Sequence, residues 1–78
     1  MRKDPVSRTE KLHDALQRRD YAAAIDHLRQ SVAEAAAADH WGTAARQLGL
    51  MAILYQRLAQ PEDALTCLDE ALRYAHQD

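Results

Sequence analysis

A chain of 78 residues holds one small domain, and so thin a core gives only about 3–5 kcal/mol of net stability unless packing is very regular or a partner helps. The net charge of −2, with acids and bases interspersed, leaves no electrostatic footprint for nucleic acid or an anionic membrane. The single cysteine, Cys67, excludes an intrachain disulfide and a cysteine-rich zinc site, and it fits a reducing compartment.

Alanine and leucine dominate, phenylalanine is absent and glycine occurs only at positions 42 and 49. These residues carry low helix-forming cost, and no alternating strand-like segment bounded by turn residues occurs, so the chain is expected to be all-α. No stretch approaches the roughly 20 apolar residues of a membrane span. Met1-Arg2-Lys3-Asp4-Pro5 lacks the apolar run of a secretory leader, which makes a cytoplasmic location the expectation.

Four helices follow in chain order. The first covers 7–18: Ser7 and Glu10 have capping-box spacing, Pro5 closes off what precedes, and Val6, Leu12, Ala15 and Leu16 point inward. Asp20 caps a second helix over 21–38, where Ala24, Ile25, Leu28, Ser31, Val32 and Ala35 follow helical spacing. Asp39 is the next break and is able to cap a third helix running from 41 or 43 to 59, with Leu48, Met51, Ala52, Tyr55, Leu58 and Ala59 along one stripe. Pro61 ends that helix or opens the next. The fourth covers 62–75, with Ala64, Leu65, Leu68, Ala71, Leu72 and Ala75 as its inward stripe. Short connections between helices one and two, and three and four, force antiparallel hairpins.

The two halves repeat at 40 residues: Ala24 falls on Ala64, Ile25 on Leu65, Leu28 on Leu68 and Val32 on Leu72. A helix pair repeating at this period is the signature of an α-solenoid.

On these residues the chain resembles the tetratricopeptide-repeat family, in its longer-period form, with repeats over 6–38 and 43–76. In the second unit, Leu48, Met51, Ala52 and Tyr55 match the family's large–large–small–aromatic series. Ala59 takes the small site before the turn, and Ala64, Leu68 and Ala71 supply the small–large–small pattern. The first unit matches mainly through Asp20, Tyr21, Ala24, Ile25, Leu28 and Ser31, whereas Arg8 and Lys11 stand where large apolar residues belong. Neither unit has the family's terminal proline, and His76 occupies its place in the second. The resemblance implies two stacked helical hairpins that bind a peptide or helix of a partner protein in a groove lined by the first helix of each pair. By position, that groove would be lined by Glu10, His13 and Gln17 from the first unit, and by Arg46, Gly49, Leu50, Ile53, Gln56 and Arg57 from the second. The lysine and asparagine clamp with which some members hold a C-terminal carboxylate has no counterpart, since Gly49 and Ile53 stand at two of its positions.

Leu50, Ile53 and Leu54 lie off the hairpin-packing stripe and make the third helix apolar nearly all round, which implies burial on more than one side. For Leu54 this means packing on the preceding repeat. For Leu50 and Ile53 two readings stay open: core packing, or an apolar patch for a partner helix or a second copy of the chain. At the far end of the pair, Thr66, Cys67, Glu70 and Tyr74 are expected to form the open face, another surface for a homodimer. Trp41 is expected to wedge the turn between repeats. His13, His27, His40 and His76 are read as solvated, because no two have metal-chelating helical spacing. Cys67 reads as a small buried hydrophobe. No catalytic, cofactor-binding or metal constellation is expected, so the functional expectation is an adaptor that binds protein. A homo-oligomeric scaffold, or a small inhibitor that covers an enzyme, are the alternatives.

Overall fold

Chain punctuation recurs every 20 residues and sets the architecture. The computed structural model describes residues 5–77, with side chains from Glu10 onward. The described residues are all-α and form four helices: α1 Pro5–Gln17, α2 Tyr21–Ala37, α3 Trp41–Arg57 and α4 Pro61–Ala75. α1 opens at Pro5, where proline's fixed φ and missing N–H cost a first turn nothing. Ser7 is therefore inside the helix and is not its N-cap; the side chains of Val6, Ser7 and Arg8 lie outside the described residues.

All three turns have one geometry. Arg19, Asp39 and Ala59 adopt left-handed φ values of 60°, 61° and 59°. The next residue's N–H then reaches back five positions: Asp20 to the Ala15 carbonyl at 2.8 Å, His40 to Ala35 at 2.8 Å, and Gln60 to Tyr55 at 2.9 Å. This Schellman closure satisfies carbonyls that a helix end would otherwise leave without partners. Asp39 is thus the left-handed residue ending α2, and the N-cap of α3 is His40, which makes no side-chain capping bond. Asp20 does cap α2, accepting from the Ala23 N–H at 3.2 Å. The connection between the two hairpins is as short as the connections inside them.

Alanine sets the spacing between helices. Ala24, Ala44 and Ala64 recur at the fourth residue of α2, α3 and α4, and all three are buried. A methyl group there lets neighbouring backbones approach closely, while Ile25, Leu28, Leu48 and Met51 fill the space beside it. Each of those four side chains, fully buried, contributes about 1.5–3 kcal/mol. Two contacts of aromatic side chains add to the apolar packing. The Arg29 guanidinium on α2 donates to the Tyr55 hydroxyl on α3 at 2.6 Å, and Trp41 of α3 stacks on Tyr74 of α4 with centroids 5.5 Å apart. Trp41 thus links α3 to α4 within the second hairpin.

Helices pack only on their neighbours in the chain, most extensively α3 on α4 and least α1 on α2. The Cα atoms span 38 × 31 × 12 Å. Successive helices run antiparallel and together form a helical-repeat-like fold. No helix among the described residues is long and apolar enough to cross a membrane.

α4 is rotated relative to the sequence expectation. Ala64 and Cys67 are buried against α3, with Ala71 and Tyr74 partly so, whereas Leu65, Leu68 and Leu72 face outward. Cys67 and Tyr74 therefore belong to the packed side of α4. The physical reason is size: small residues on the α3 side permit a close helix–helix approach, and the bulkier leucines take the side that has no neighbour.

Candidate functional site

The same arrangement creates a cleft. α1 and α3 both pack on α2, and their backbones approach α2 more closely than they approach each other, so their facing sides leave a gap above α2. Leu28 of α2 lines the cleft together with Leu12 and Leu16 of α1 and Leu50, Ile53 and Leu54 of α3. Its volume is about 70 Å³. A cavity of ~150 Å³ holds a benzene ring, so this one has room for the end of one aliphatic side chain.

Leu54 and Leu28 are buried and form the deep part of the cleft. Leu50 and Ile53 keep 47% and 50% of their surface in water, and Leu16 is also exposed, so the mouth is open and apolar. Leu50 and Ile53 thus line the cleft and present about half of their surface to solvent.

Charge frames this apolar centre. Arg46, Leu50, Ile53 and Arg57 fall at i, i+4, i+7 and i+11, which is one stripe of α3. Arg46 and Arg57 are exposed, and neither pairs with a carboxylate among the described residues. The Arg18–Asp14 pair at 3.1 Å and the Arg73–Asp69 pair at 3.0 Å are local, solvated ion pairs that contribute little. Gly49 lies beside this stripe, half-buried, and a Cβ placed on it would meet nothing within 4 Å. Gln56 is exposed.

The α1 side of the site differs from the expectation. Glu10, His13 and Gln17 are exposed, and the Gln17 amide hydrogen-bonds the His13 ring at 3.0 Å, but none of the three lines the cleft. Leu12 and Leu16, expected as plain core residues, form that wall. Their role carried a weak sequence signal: α1 is short and has a small apolar stripe, so any leucine not needed against α2 is left to face α3.

Among the described residues no group of three or more His, Cys, Asp or Glu side chains is placed to hold a metal ion. Burial pushes the Cys67 thiol above its ordinary value, and the nearby Glu70 carboxylate pushes it the same way. A protonated thiol enclosed between helices is a packing group with little nucleophilic character.

The class defined here is an all-α, repeat-like helical array with an apolar cleft at one face. No protein-family model, curated protein or solved structure matches the chain. The functional reading therefore comes from the geometry of the cleft and the charges around it.

Proposed function

We propose that this protein is a tetratricopeptide-like interaction module that takes a helix or peptide of a partner protein into the cleft between α1 and α3. The observation that carries the reading is the pairing of two half-exposed residues, Leu50 and Ile53, over an open apolar cleft, with exposed arginines at both ends of the stripe that pair with no carboxylate among the described residues. An amphipathic helix bearing one aliphatic anchor and acidic flanking residues fits that pattern. The anchor enters beside Leu12 and Leu28, and Arg46 and Arg57 meet the acids.

Covering half a side chain at each of Leu50 and Ile53 contributes about 1–1.5 kcal/mol apiece, and a buried partner anchor adds about 2–3 kcal/mol. These terms come to about 4–6 kcal/mol before the cost of association, so the contacts alone support a weak, reversible complex no tighter than about millimolar, and further contacts of the partner set the affinity. The arginines act on encounter rate and selectivity more than on affinity.

The test is a titration of the ¹⁵N-labelled protein with two designed helical peptides. Both carry leucine at i, i+3, i+4 and i+7; one has glutamate flanks and the other lysine flanks. Chemical-shift changes centred on Leu12, Leu16, Leu50 and Ile53 are expected, with tighter binding of the glutamate peptide. Ile53→Asp should weaken binding at least tenfold while far-UV circular dichroism stays unchanged. Shift changes that avoid α1 and α3 would refute the assignment, and so would an Ile53→Asp chain that binds as tightly as the parent.

A further inference from the structure

α2 and α4 occupy equivalent places 40 residues apart, and the fate of their apolar faces differs in an informative way. In α2, which has α1 on one side and α3 on the other, Ile25, Leu28 and Val32 are buried. Their counterparts on α4, which packs only on α3, are Leu65, Leu68 and Leu72, and these are 66%, 42% and 61% exposed. The side chains are as large and as apolar in both helices; only the neighbour differs. The outer side of α4 therefore has the composition and register of a helix-packing surface.

We infer that a second copy of this chain covers that surface, α4 against α4, about a two-fold axis near Leu68. Three observations select this occupant. First, the face is self-complementary. Its leucines lie three residues before and four residues after Leu68, so in an antiparallel pair Leu68 meets its own copy while Leu65 and Leu72 meet each other. Self-matching of this kind is what an isologous interface requires. Second, neighbouring helices in the array alternate in direction, and a two-fold joins α4 to α4 antiparallel, so it continues that alternation across the boundary. Third, the opposite edge of the array repels a head-to-tail stack. Lys11 and Asp14 of α1, and Arg18 just after it, stand forty residues before Met51, Leu54 and Leu58, and all three are exposed. Pressing leucines onto Lys11 and the solvated Asp14–Arg18 ion pair would strip water from those charges with no new polar partner in return, whereas the two-fold pairs apolar with apolar. This inference uses a surface separate from the α1–α3 cleft and does not depend on the reading of that site.

One helix–helix contact is small for a specific interface, so dissociation in the micromolar range is expected. Sedimentation equilibrium on the full chain from micromolar to millimolar concentration should show mass rising toward twice 8.8 kDa. Leu68→Glu, a change at an exposed position, should keep helicity and raise the dissociation constant by roughly 100-fold or more, since it places two like charges on the axis. Ile53→Asp should leave self-association unchanged. In a Cys67→Ala background, Leu68→Cys should form a disulfide-linked dimer on mild oxidation, and Thr66→Cys, on another side of α4, should not. Three results would each overturn the inference: a monomer throughout the range, a dimer indifferent to Leu68→Glu, or cross-linking as efficient at position 66 as at 68.

Discussion

Exchanging one alanine and one glycine between two positions of this chain should stabilise it without altering its composition. Ala59 holds a left-handed φ of 59° at the α3–α4 turn, a region that costs an L-residue about 1–2 kcal/mol and glycine almost nothing. Glycine's greater freedom in the unfolded chain offsets part of that gain, which leaves about 0.5–1 kcal/mol in favour of Ala59→Gly. Gly49 presents the opposite case. It is the ninth residue of α3, it has no positive φ, and a methyl group there would meet nothing within 4 Å. Gly49→Ala should therefore recover the helix-interior preference of about 0.8–1 kcal/mol. The two sites share no backbone hydrogen bond, so the double variant should gain about 1.5 kcal/mol. For a domain of this size that corresponds to a rise of roughly 6–12 °C in Tm. Thermal unfolding followed at 222 nm, at fixed protein concentration because self-association also shifts Tm, measures the change. A drop in Tm for Ala59→Gly alone would mean that the turn is not held left-handed in solution. A drop for Gly49→Ala alone would mean that something packs against that glycine.

Two further outcomes concern polar groups inside the array. Gln47 Oε1 is enclosed without a hydrogen-bond partner among the described residues, so Gln47→Met should remove a desolvation cost and raise the unfolding free energy by about 1 kcal/mol; a lower urea midpoint would contradict this. Because burial raises the Cys67 thiol above its ordinary value of 9.0, its contribution is complete below that value and is lost as pH climbs through the higher folded one. The parent should thus lose more stability than Cys67→Ala between pH 8 and pH 10, and parallel pH profiles would show that the thiol is not desolvated.

Helix positions were legible in the sequence because the stops are chemical. Asp20 accepts from a first-turn N–H, and Pro61 lacks the donor that a mid-helix position needs. The turn geometry was not, because glycine usually marks a left-handed site and Arg19, Asp39 and Ala59 give no such sign. The orientation of α4 was ambiguous for a related reason. Ala64, Cys67, Ala71 and Tyr74 form one helical stripe, and Leu65, Leu68 and Leu72 form another about 100° away. Periodicity reports that a helix has an apolar sector, but it does not say which half of a wide sector meets a neighbour. Size decided the matter, and only a structure shows which sizes meet. In the candidate site Leu50 and Ile53 stood out because α3 carries more apolar surface than two neighbours can cover. Leu12 and Leu16 did not, because on α1 they are indistinguishable from ordinary core leucines.

Each helix of the array packs closely on at most two others, its neighbours along the chain. α3 has both and still carries a third apolar stripe, which opens at the cleft; α4 has one neighbour and a second apolar stripe, which opens at the edge. The two exposed surfaces thus have different origins, and they should respond separately. Leu68→Glu should disrupt self-association and leave peptide-induced shifts at Leu50 and Ile53 intact, while Ile53→Asp should do the reverse. In the double variant the two losses should add without coupling, as expected for sites that share no partner. If Leu68→Glu instead weakened peptide binding, the dimer would have to contribute to the cleft, and the recognition unit would be a pair of chains.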